Sequence, residues 1–220
     1  MPLRFVLLGP PASGKGTQGR RLAAAFGLEY LGTGALLREI VENGGPHAAE
    51  IRPILARGGY LPDGLMCALM GDWLEDHRGG WVLDGFPRSP AQAVFLDGWL
   101  HARHDRLHAA VALEVPKEEL LRRIENRVEC PDCRWTGQRE DLDDRMRCPK
   151  CGGEAGPRAD DDLENFLSRH EEYRRHTVPV IDDYAARNLL LRCDATGGID
   201  QVAERLEHDI RQLISDGEAT

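Results

Sequence analysis

Five short apolar runs punctuate the chain, at Leu3–Leu8, Glu29–Leu31, Trp81–Asp84, Ala109–Val115 and Leu189–Cys193. Between them apolar residues recur with helical spacing. That spacing predicts helices over Lys15–Phe26, Gly34–Asn43, His47–Arg57, Gly64–Asp76, Pro90–Ala102, Lys117–Asn126, Asp161–His176, Pro179–Ala186 and Ile199–Ser215. The run Leu3-Arg4-Phe5-Val6-Leu7-Leu8 is nearly continuous rather than alternating, as in a parallel strand buried on both faces. Strands that alternate with helices imply a parallel sheet, because each connection between parallel strands must cross over a face of the sheet. The predicted fold class is α/β, a five-stranded parallel sheet flanked by helices.

Two segments do not read as layers of that core. Residues 33–62 form a small, mostly helical excursion. Residues 128–160 are rich in Cys, Asp, Arg and Gly and poor in aliphatic side chains, so they need a staple rather than a core of their own. The core is expected from residues 1–32, 63–127 and 161–220. There are no internal repeats and no low-complexity stretch.

At 220 residues, with 41% hydrophobic and 30% charged positions, the chain suits one soluble core with small insertions. No apolar run reaches the length of a membrane span, and Met1-Pro2-Leu3-Arg4 leads straight into the first strand without a signal peptide. A cytoplasmic protein is therefore expected. A net charge of −9 argues against a general nucleic-acid binder, which needs a basic excess to neutralise phosphates. A small anion gripped by local arginines is still compatible with it. Nothing calls for an obligate oligomer, and a monomer is the default.

Only three of the 28 basic residues are lysine, and one of them lies in Gly9-Pro10-Pro11-Ala12-Ser13-Gly14-Lys15-Gly16-Thr17, between a strand and a helix. Gly9 and Gly14 let the backbone turn tightly and aim its N–H groups inward, where the following helix adds the positive end of its dipole. Lys15 supplies a compact, mobile charge for the β- and γ-phosphates of a nucleotide. The generic loop of this kind follows its lysine with Ser or Thr, whose hydroxyl holds magnesium. Here Gly16 takes that place and Thr17 comes one later. Further on, Asp84-Gly85-Phe86-Pro87-Arg88 follows the strand Trp81-Val82-Leu83, at the carboxyl end where ligands bind in open α/β sheets. Asp84 is placed to order magnesium-bound water, and Arg88 to fork onto a phosphate. Arg123 and Arg127 lie four apart on one helical face, so both can point at one ligand.

With the Gly-Lys-Gly-Thr loop and the Asp-Gly-Phe-Pro-Arg segment, the chain resembles the adenylate kinase family, of its long type with an extended lid, from near residue 3 to near residue 212. The resemblance implies the architecture of a P-loop nucleoside monophosphate kinase, with 33–62 as the AMP-binding subdomain and 128–160 as the lid. It implies reversible phosphoryl transfer from MgATP to AMP, giving two ADP. ATP would be held by Gly9, Pro11, Ala12, Ser13, Gly14, Lys15, Gly16 and Thr17, by Arg123 over the base, by Arg127 on the phosphates, and by Gly198. AMP would be held by Thr33, Gly34, Arg38, the backbone at Gly59 and Leu61, Gly85 and Arg88. Gln92 would read adenine, since an amide offers both an acceptor and a donor. Arg158 and Arg169, eleven residues apart at the lid hinge, would complete the phosphate set. The implied catalytic group is Lys15, Asp84, Arg88, Arg127, Arg158 and Arg169. Such chemistry needs positioning and charge neutralisation more than a covalent nucleophile, and no Ser-His-Asp or Cys-His arrangement is required. The histidines, including His101, His104 and His108, show no ligand spacing.

The sequence departs from the family at three places. Ala12 stands where glycine is most common, which suits a negative φ there and not a tight positive one. Ala35 replaces the acidic residue that commonly follows Thr-Gly, and Gly64 the one that follows Pro-Asp. A kinase for UMP, CMP or GMP is the nearest alternative, with Gln92 and the long lid against it. A more distant one is a zinc-ribbon nucleotide switch that binds nucleic acid. That would want a basic, aromatic ribbon, whereas Glu140-Asp141-Leu142-Asp143-Asp144 is acidic and Trp135 its one aromatic residue.

Cys130-Pro131-Asp132-Cys133 and Cys148-Pro149-Lys150-Cys151 are separated by 14 residues. In a reducing compartment two such pairs point to metal rather than disulfides. Four thiolates close tetrahedrally around Zn2+ and leave no open position, so the site is structural, with iron as an incidental substitute and a disulfide or an empty site as the alternatives. Some lids of the family carry four cysteines here. Cys67 and Cys193 stand alone in apolar surroundings and read as core. The expected cofactors are Mg2+ with ATP and structural Zn2+, and the expected partners are ATP, AMP and ADP.

Overall fold

The five apolar runs form one parallel sheet from β1 (Arg4–Leu8), β2 (Glu29–Gly32), β3 (Trp81–Asp84), β4 (Ala109–Glu114) and β8 (Leu190–Asp194). A computed structural model of the chain describes residues 2–133, 135–157 and 161–218. The strand order is β2-β3-β1-β4-β8, so the chain runs from β1 to the edge strand β2, returns to β3 beside β1, and then passes to β4 and β8 on the other side. The order therefore reverses beside β1, which leaves a crevice at the carboxyl ends of the strands. In register, Leu7 and Gly32 both sit beside Asp84. The loop after β1, the start of the helix after β2 and the end of β3 are thereby brought to one edge.

The strands alternate between two cores. Val6, Leu8, Trp81, Leu83, Ala110 and Ala112 face one side, where they meet helices α2 (Thr33–Glu42), α3 (Ala48–Ala56), α4 (Asp63–Asp76), α5 (Pro90–His101) and α8 (Val178–Ala186). Phe5, Leu7, Val82, Val111 and Leu113 face the other, against α1 (Lys15–Phe26) and α9 (Ile199–Glu218). Near-continuous apolar strands are the sequence trace of this double coverage. α6 (Lys117–Asn126) adds a small cluster of Leu120 and Ile124 with Phe166 of α7 (Leu163–Glu172).

Three differences from the expected elements stand out. The helices predicted over Asp161–His176 and Pro179–Ala186 are one continuous run, in which α7 passes through a π-helical turn, Tyr173–Thr177, into α8. Pro179 has no N–H for the carbonyl four residues back, and a π turn absorbs such a break without ending the helix. Residues 127–157 form a small antiparallel sheet that apolar patterning did not reveal, of β5 (Arg127–Glu129), β6 (Thr136–Gln138) and β7 (Gly156–Pro157). Finally, α2 and α3 do not build a separate core. Leu37, Ile51, Ile54 and Leu61 are buried in the main cluster with Met66, Phe86 and Tyr184.

That last arrangement predicts how the segment unfolds. Ile51 is fully buried, and Ile51→Ala removes three carbons from the shared core, at a cost of about 2–5 kcal/mol. Urea unfolding should move as a single transition to a lower midpoint. If the midpoint held while only proteolysis within 33–62 increased, the segment would be folding apart from the sheet.

Candidate active site

A cleft of about 540 Å³ opens at the carboxyl edge of the sheet. The loop from Pro11 to Thr17 forms its floor, with Gly34, Ala35 and Arg38 of α2 and Asp84 and Arg88 on one wall. Arg123, Arg127, Arg169 and Gly198 form the other wall, and Thr136–Gln138 of the small sheet reaches over it. Gly9 and Gly85 line a smaller adjoining pocket with Lys15, Tyr60 and Arg88. Thr33, Leu61 and Gln92 are buried, Gly59 is half-buried, and none of the four lines either pocket. Arg158 lies outside the described residues.

The loop turns through Gly9 at φ 149° and Gly14 at φ 90°. Ala12 is also positive, at φ 65°, contrary to the negative φ expected of an alanine. The left-handed region disfavours a Cβ by about 1–2 kcal/mol, but here the methyl packs against Leu120, Ile124 and Phe166, which offsets part of that strain. Lys15 Nζ donates to the carbonyls of Gly9 and Pro10, at 2.8 Å each, and lies 3.4 Å from Ser13 Oγ. Its pKa is lowered to about 8, chiefly by burial; Asp84 opposes the shift, and Arg88, Arg169 and Arg127 add to it.

On the β3 side, Thr33 Oγ1 shares its hydrogen between the carbonyls of Asp84 and Gly85, both at 3.1 Å. Gly85 has φ 82°, and a Cβ there would lie 2.6 Å from both Thr33 Oγ1 and an Arg88 nitrogen. No larger residue fits. Arg88 Nε donates to Gly85 O at 2.7 Å, and the guanidinium lies 4.7 Å from the centre of the Tyr60 ring. Both contacts hold the fork before any ligand arrives. Thr177, in the π-helical turn, donates to Arg88 O at 3.2 Å and lies 3.4 Å from the Tyr60 hydroxyl. Gln92 is buried. Its Oε1 accepts from Arg88 N and its Nε2 donates to Asp63 Oδ1, both at 2.8 Å, while Ser89 Oγ donates to the same Asp63 oxygen at 2.7 Å. One lone pair and one N–H of the amide are used here, so one of each remains.

Across the cleft Arg127 forms a bidentate ion pair with Asp161, whose side chain is only 3% exposed, and Arg169 lies 3.8 Å from the same carboxylate. Arg123 is braced by Glu119 Oε1 and by Ala195 O, each at 2.8 Å. Among the supporting residues, Tyr60 and Asp63 fall in the family-like segment Gly58–Asp63 and Asp161 in Arg158–Asp161, but those segments did not show which cations they hold. Glu119 belongs to no motif and meets Arg123 one helical turn on.

The four cysteines of the small sheet do come together. Their sulfurs all lie within 4.8 Å of one another, with Cys130–Cys151 and Cys133–Cys148 each at 3.5 Å. A disulfide would need about 2 Å, whereas four thiolates around Zn2+ stand about 3.8 Å apart. The donor set and its spacing fit that ion. The Lys150 amide donates to Cys148 Sγ at 3.4 Å, and the Gly152 amide closes the turn onto Cys148 O at 2.9 Å. Among the described residues no helix is long and apolar enough to cross a membrane.

Comparison with known proteins points one way. The family model described as adenylate kinase matches residues 7–189. The adenylate kinase of Thermodesulfovibrio yellowstonii is 37% identical over 207 residues, covering 91% of this chain and 95% of that one. Those of Archaeoglobus fulgidus and Pyrococcus furiosus are 33% and 32% identical, with 97% and 93% of this chain covered and 100% and 94% of theirs. A phosphate loop at the reversal point of a five-stranded parallel sheet, faced by arginines and capped by a four-cysteine unit, is the structural counterpart of that match. The chain belongs to the adenylate kinase family.

Proposed function

We propose that this member of the family transfers the terminal phosphoryl group of MgATP to AMP, reversibly giving two ADP. The observation that carries the reading is the convergence of Lys15, Arg38, Arg88, Arg127 and Arg169 on one cleft around the phosphate loop, in a chain whose net charge is −9. Such a concentration of cations suits a nucleoside triphosphate and a nucleoside monophosphate whose phosphates meet end to end.

In this reading the loop from Gly9 to Thr17 wraps the phosphates of ATP, and Lys15 leaves the Gly9 and Pro10 carbonyls for them. Magnesium enters with ATP, and Asp84 accepts hydrogen bonds from its water. Arg123 lies over the donor base, and Gly198 beside it. The acceptor phosphate meets Arg38 and Arg88, near Thr33, Gly34 and Gly85, while its base approaches Gly59, Leu61 and the remaining donor and acceptor of Gln92. Arg127, Arg169 and Arg158 neutralise the charge that spreads over the transferring group, which is where phosphoryl transfer is accelerated. No side chain forms a covalent bond. Residues 33–62 and 128–160 serve as acceptor subdomain and lid on a core of 1–32, 63–127 and 161–220, and their closure excludes water that would otherwise hydrolyse ATP. Zn2+ held by Cys130, Cys133, Cys148 and Cys151 would supply folding energy to the lid. A cytoplasmic monomer with small nucleotides as partners completes the reading, and the acidic net charge supports the absence of nucleic acid.

The deciding experiment pairs ATP with AMP, UMP, CMP and GMP and follows diphosphate formation. AMP should lead in kcat/KM, since each base hydrogen bond lost in a buried pocket costs about 1–3 kcal/mol, roughly tenfold to a hundredfold. Comparable kcat/KM for CMP and AMP would refute the assignment.

Lys15 provides a second check. Burial disfavours its charged form, so in the free protein it gives up its proton near pH 8. Polyphosphate binds the protonated lysine. ATP affinity should therefore be flat below that pH and fall above it, by at most about tenfold per unit. Titration at pH 7 and pH 9 should show this, and Lys15→Ala should abolish the slope along with activity. Lys15→Arg should also be inactive, because a planar guanidinium does not fit a cradle built for a point charge. An active Lys15→Arg variant would contradict the loop geometry.

The lid supplies a third. Protein purified under reducing conditions should carry about one zinc per chain. Chelation, or Cys130→Ser with Cys148→Ser, should lower the Tm and increase proteolysis within 128–160. Some turnover should survive at low temperature, because Lys15, Asp84 and Arg88 lie outside the lid. Absence of metal, or complete loss of turnover with the lid still folded, would be the contrary result.

A further inference from the structure

Tyr30 in β2 belongs to none of the motifs, yet it lines the cleft. Its ring occupies a slot that Gly19 and Gly32 keep open, with Gly16 in ordinary contact beside it. A Cβ at Gly19 would lie 2.6 Å from Tyr30 Cε2, one at Gly32 2.9 Å from the hydroxyl, and one at Gly16 3.5 Å from it. Arg20, one turn beyond Gly16 on α1, covers the ring with its guanidinium 5.6 Å from the centre. The slot ends at one acceptor: the Tyr30 hydroxyl donates to Asp84 Oδ2 at 2.9 Å. Asp84 is the carboxylate that faces Lys15 and closes the floor of the cleft.

We propose that Tyr30 is a positioning residue for phosphoryl transfer, fixing the Asp84 carboxylate toward the phosphate loop so that it meets the hydrated Mg2+ of the incoming nucleotide in one orientation. The proposal rests on the functional reading above, which gives Asp84 that task. An aspartate at a strand end has free rotation about two side-chain bonds, and its carboxylate swings unless something tethers it. A neutral phenol tethers one oxygen and leaves the other free. Burial and the neighbouring carboxylate both raise the Tyr30 pKa, so the hydroxyl remains a donor across the working pH range. Ala35, also in the cleft wall, brings no second carboxylate to share the work. The Tyr30 hydroxyl is the hydrogen-bond donor placed to orient Asp84.

Tyr30→Phe keeps the ring in its slot and deletes only the donor. Wild type and variant are compared in ATP-plus-AMP turnover across a titration of free Mg2+, with direct ATP binding measured without the metal. The variant should keep its Tm within a few degrees and its metal-free ATP Kd within about twofold. Its kcat should fall about tenfold, in line with a hydrogen bond to a charged group, and half-activation should need several-fold more Mg2+. A purely structural tyrosine would lower the Tm and leave the Mg2+ curve in place.

A second variant reaches the same bond from outside. Gly32 has φ −96° and ψ 110°, which alanine tolerates, but its new Cβ would press on the Tyr30 hydroxyl. Gly32→Ala should reproduce the Mg2+ shift in wild type and add little in the Tyr30→Phe background, a coupling that a double-mutant cycle reads directly. Additive losses, or a Tyr30→Phe enzyme with the wild-type kcat and Mg2+ curve, would overturn this inference alone. A wild-type protein that makes no ADP would overturn it together with the functional reading.

Discussion

Cations that face one cleft repel one another, and the fold must hold them there while no anion is present. Lys15, Arg38, Arg88, Arg123, Arg127 and Arg169 line the same space. The supporting contacts described for five of them follow a common rule. Lys15 rests on two main-chain carbonyls, Arg88 on a carbonyl and an aromatic face, Arg123 on a carboxylate and a carbonyl, and Arg127 and Arg169 on the single carboxylate of Asp161. Carbonyls, an aromatic face and two carboxylates that are each shared between two arginines, Asp161 by Arg127 and Arg169 and Glu119 by Arg122 and Arg123, hold the cations in place without cancelling the positive potential of the site. A full set of private ion pairs would have held them more firmly and left little for a phosphate to gain.

The sheet is what makes that concentration possible. Its inner strands β1, β3 and β4 are buried on both faces, so polar groups can emerge only at the strand ends, and the order β2-β3-β1-β4-β8 brings the carboxyl ends of β1, β2 and β3 to one place. Gly32, Asp84 and the residues after Leu8 then lie side by side through backbone register alone. Catalytic placement is thus a consequence of apolar burial, and the site needs few dedicated contacts to assemble it.

This explains what was legible beforehand. The apolar runs marked the five strands of the main sheet and placed the helices to within about three residues, since burial on both faces of β1, β3 and β4 leaves a clear trace. The phosphate loop, Asp84 and Arg88 were legible because local spacing defines them. The small sheet of residues 127–157 was not, as its strands are two or three residues long and carry Thr, Gly, Gln and Glu where a core strand would carry aliphatics. Asp63, Tyr60 and Tyr30 meet their partners across 29, 28 and 54 residues of sequence, distances over which no motif speaks. Ala12 shows the limit most clearly. Its positive φ contradicts the residue type, and only the packing of its methyl beneath α6 and α7 shows what helps to hold it.

The two insertions solve the same shortage of apolar surface in opposite ways. Residues 33–62 lend Leu37, Ile51, Ile54 and Leu61 to the main core, so their order is inseparable from that of the sheet. Among its described residues the other insertion buries only Val128, Cys130, Gly137, Cys148 and Ala155, with Cys133, Trp135 and Leu142 packed at the cysteines, too little apolar surface for a core of its own. Four thiol groups within 4.8 Å of one another suit such a segment, because bonds to one metal ion can take the place of apolar burial. The segment that shares the main core needs no such substitute, and it can shift only by deforming that core.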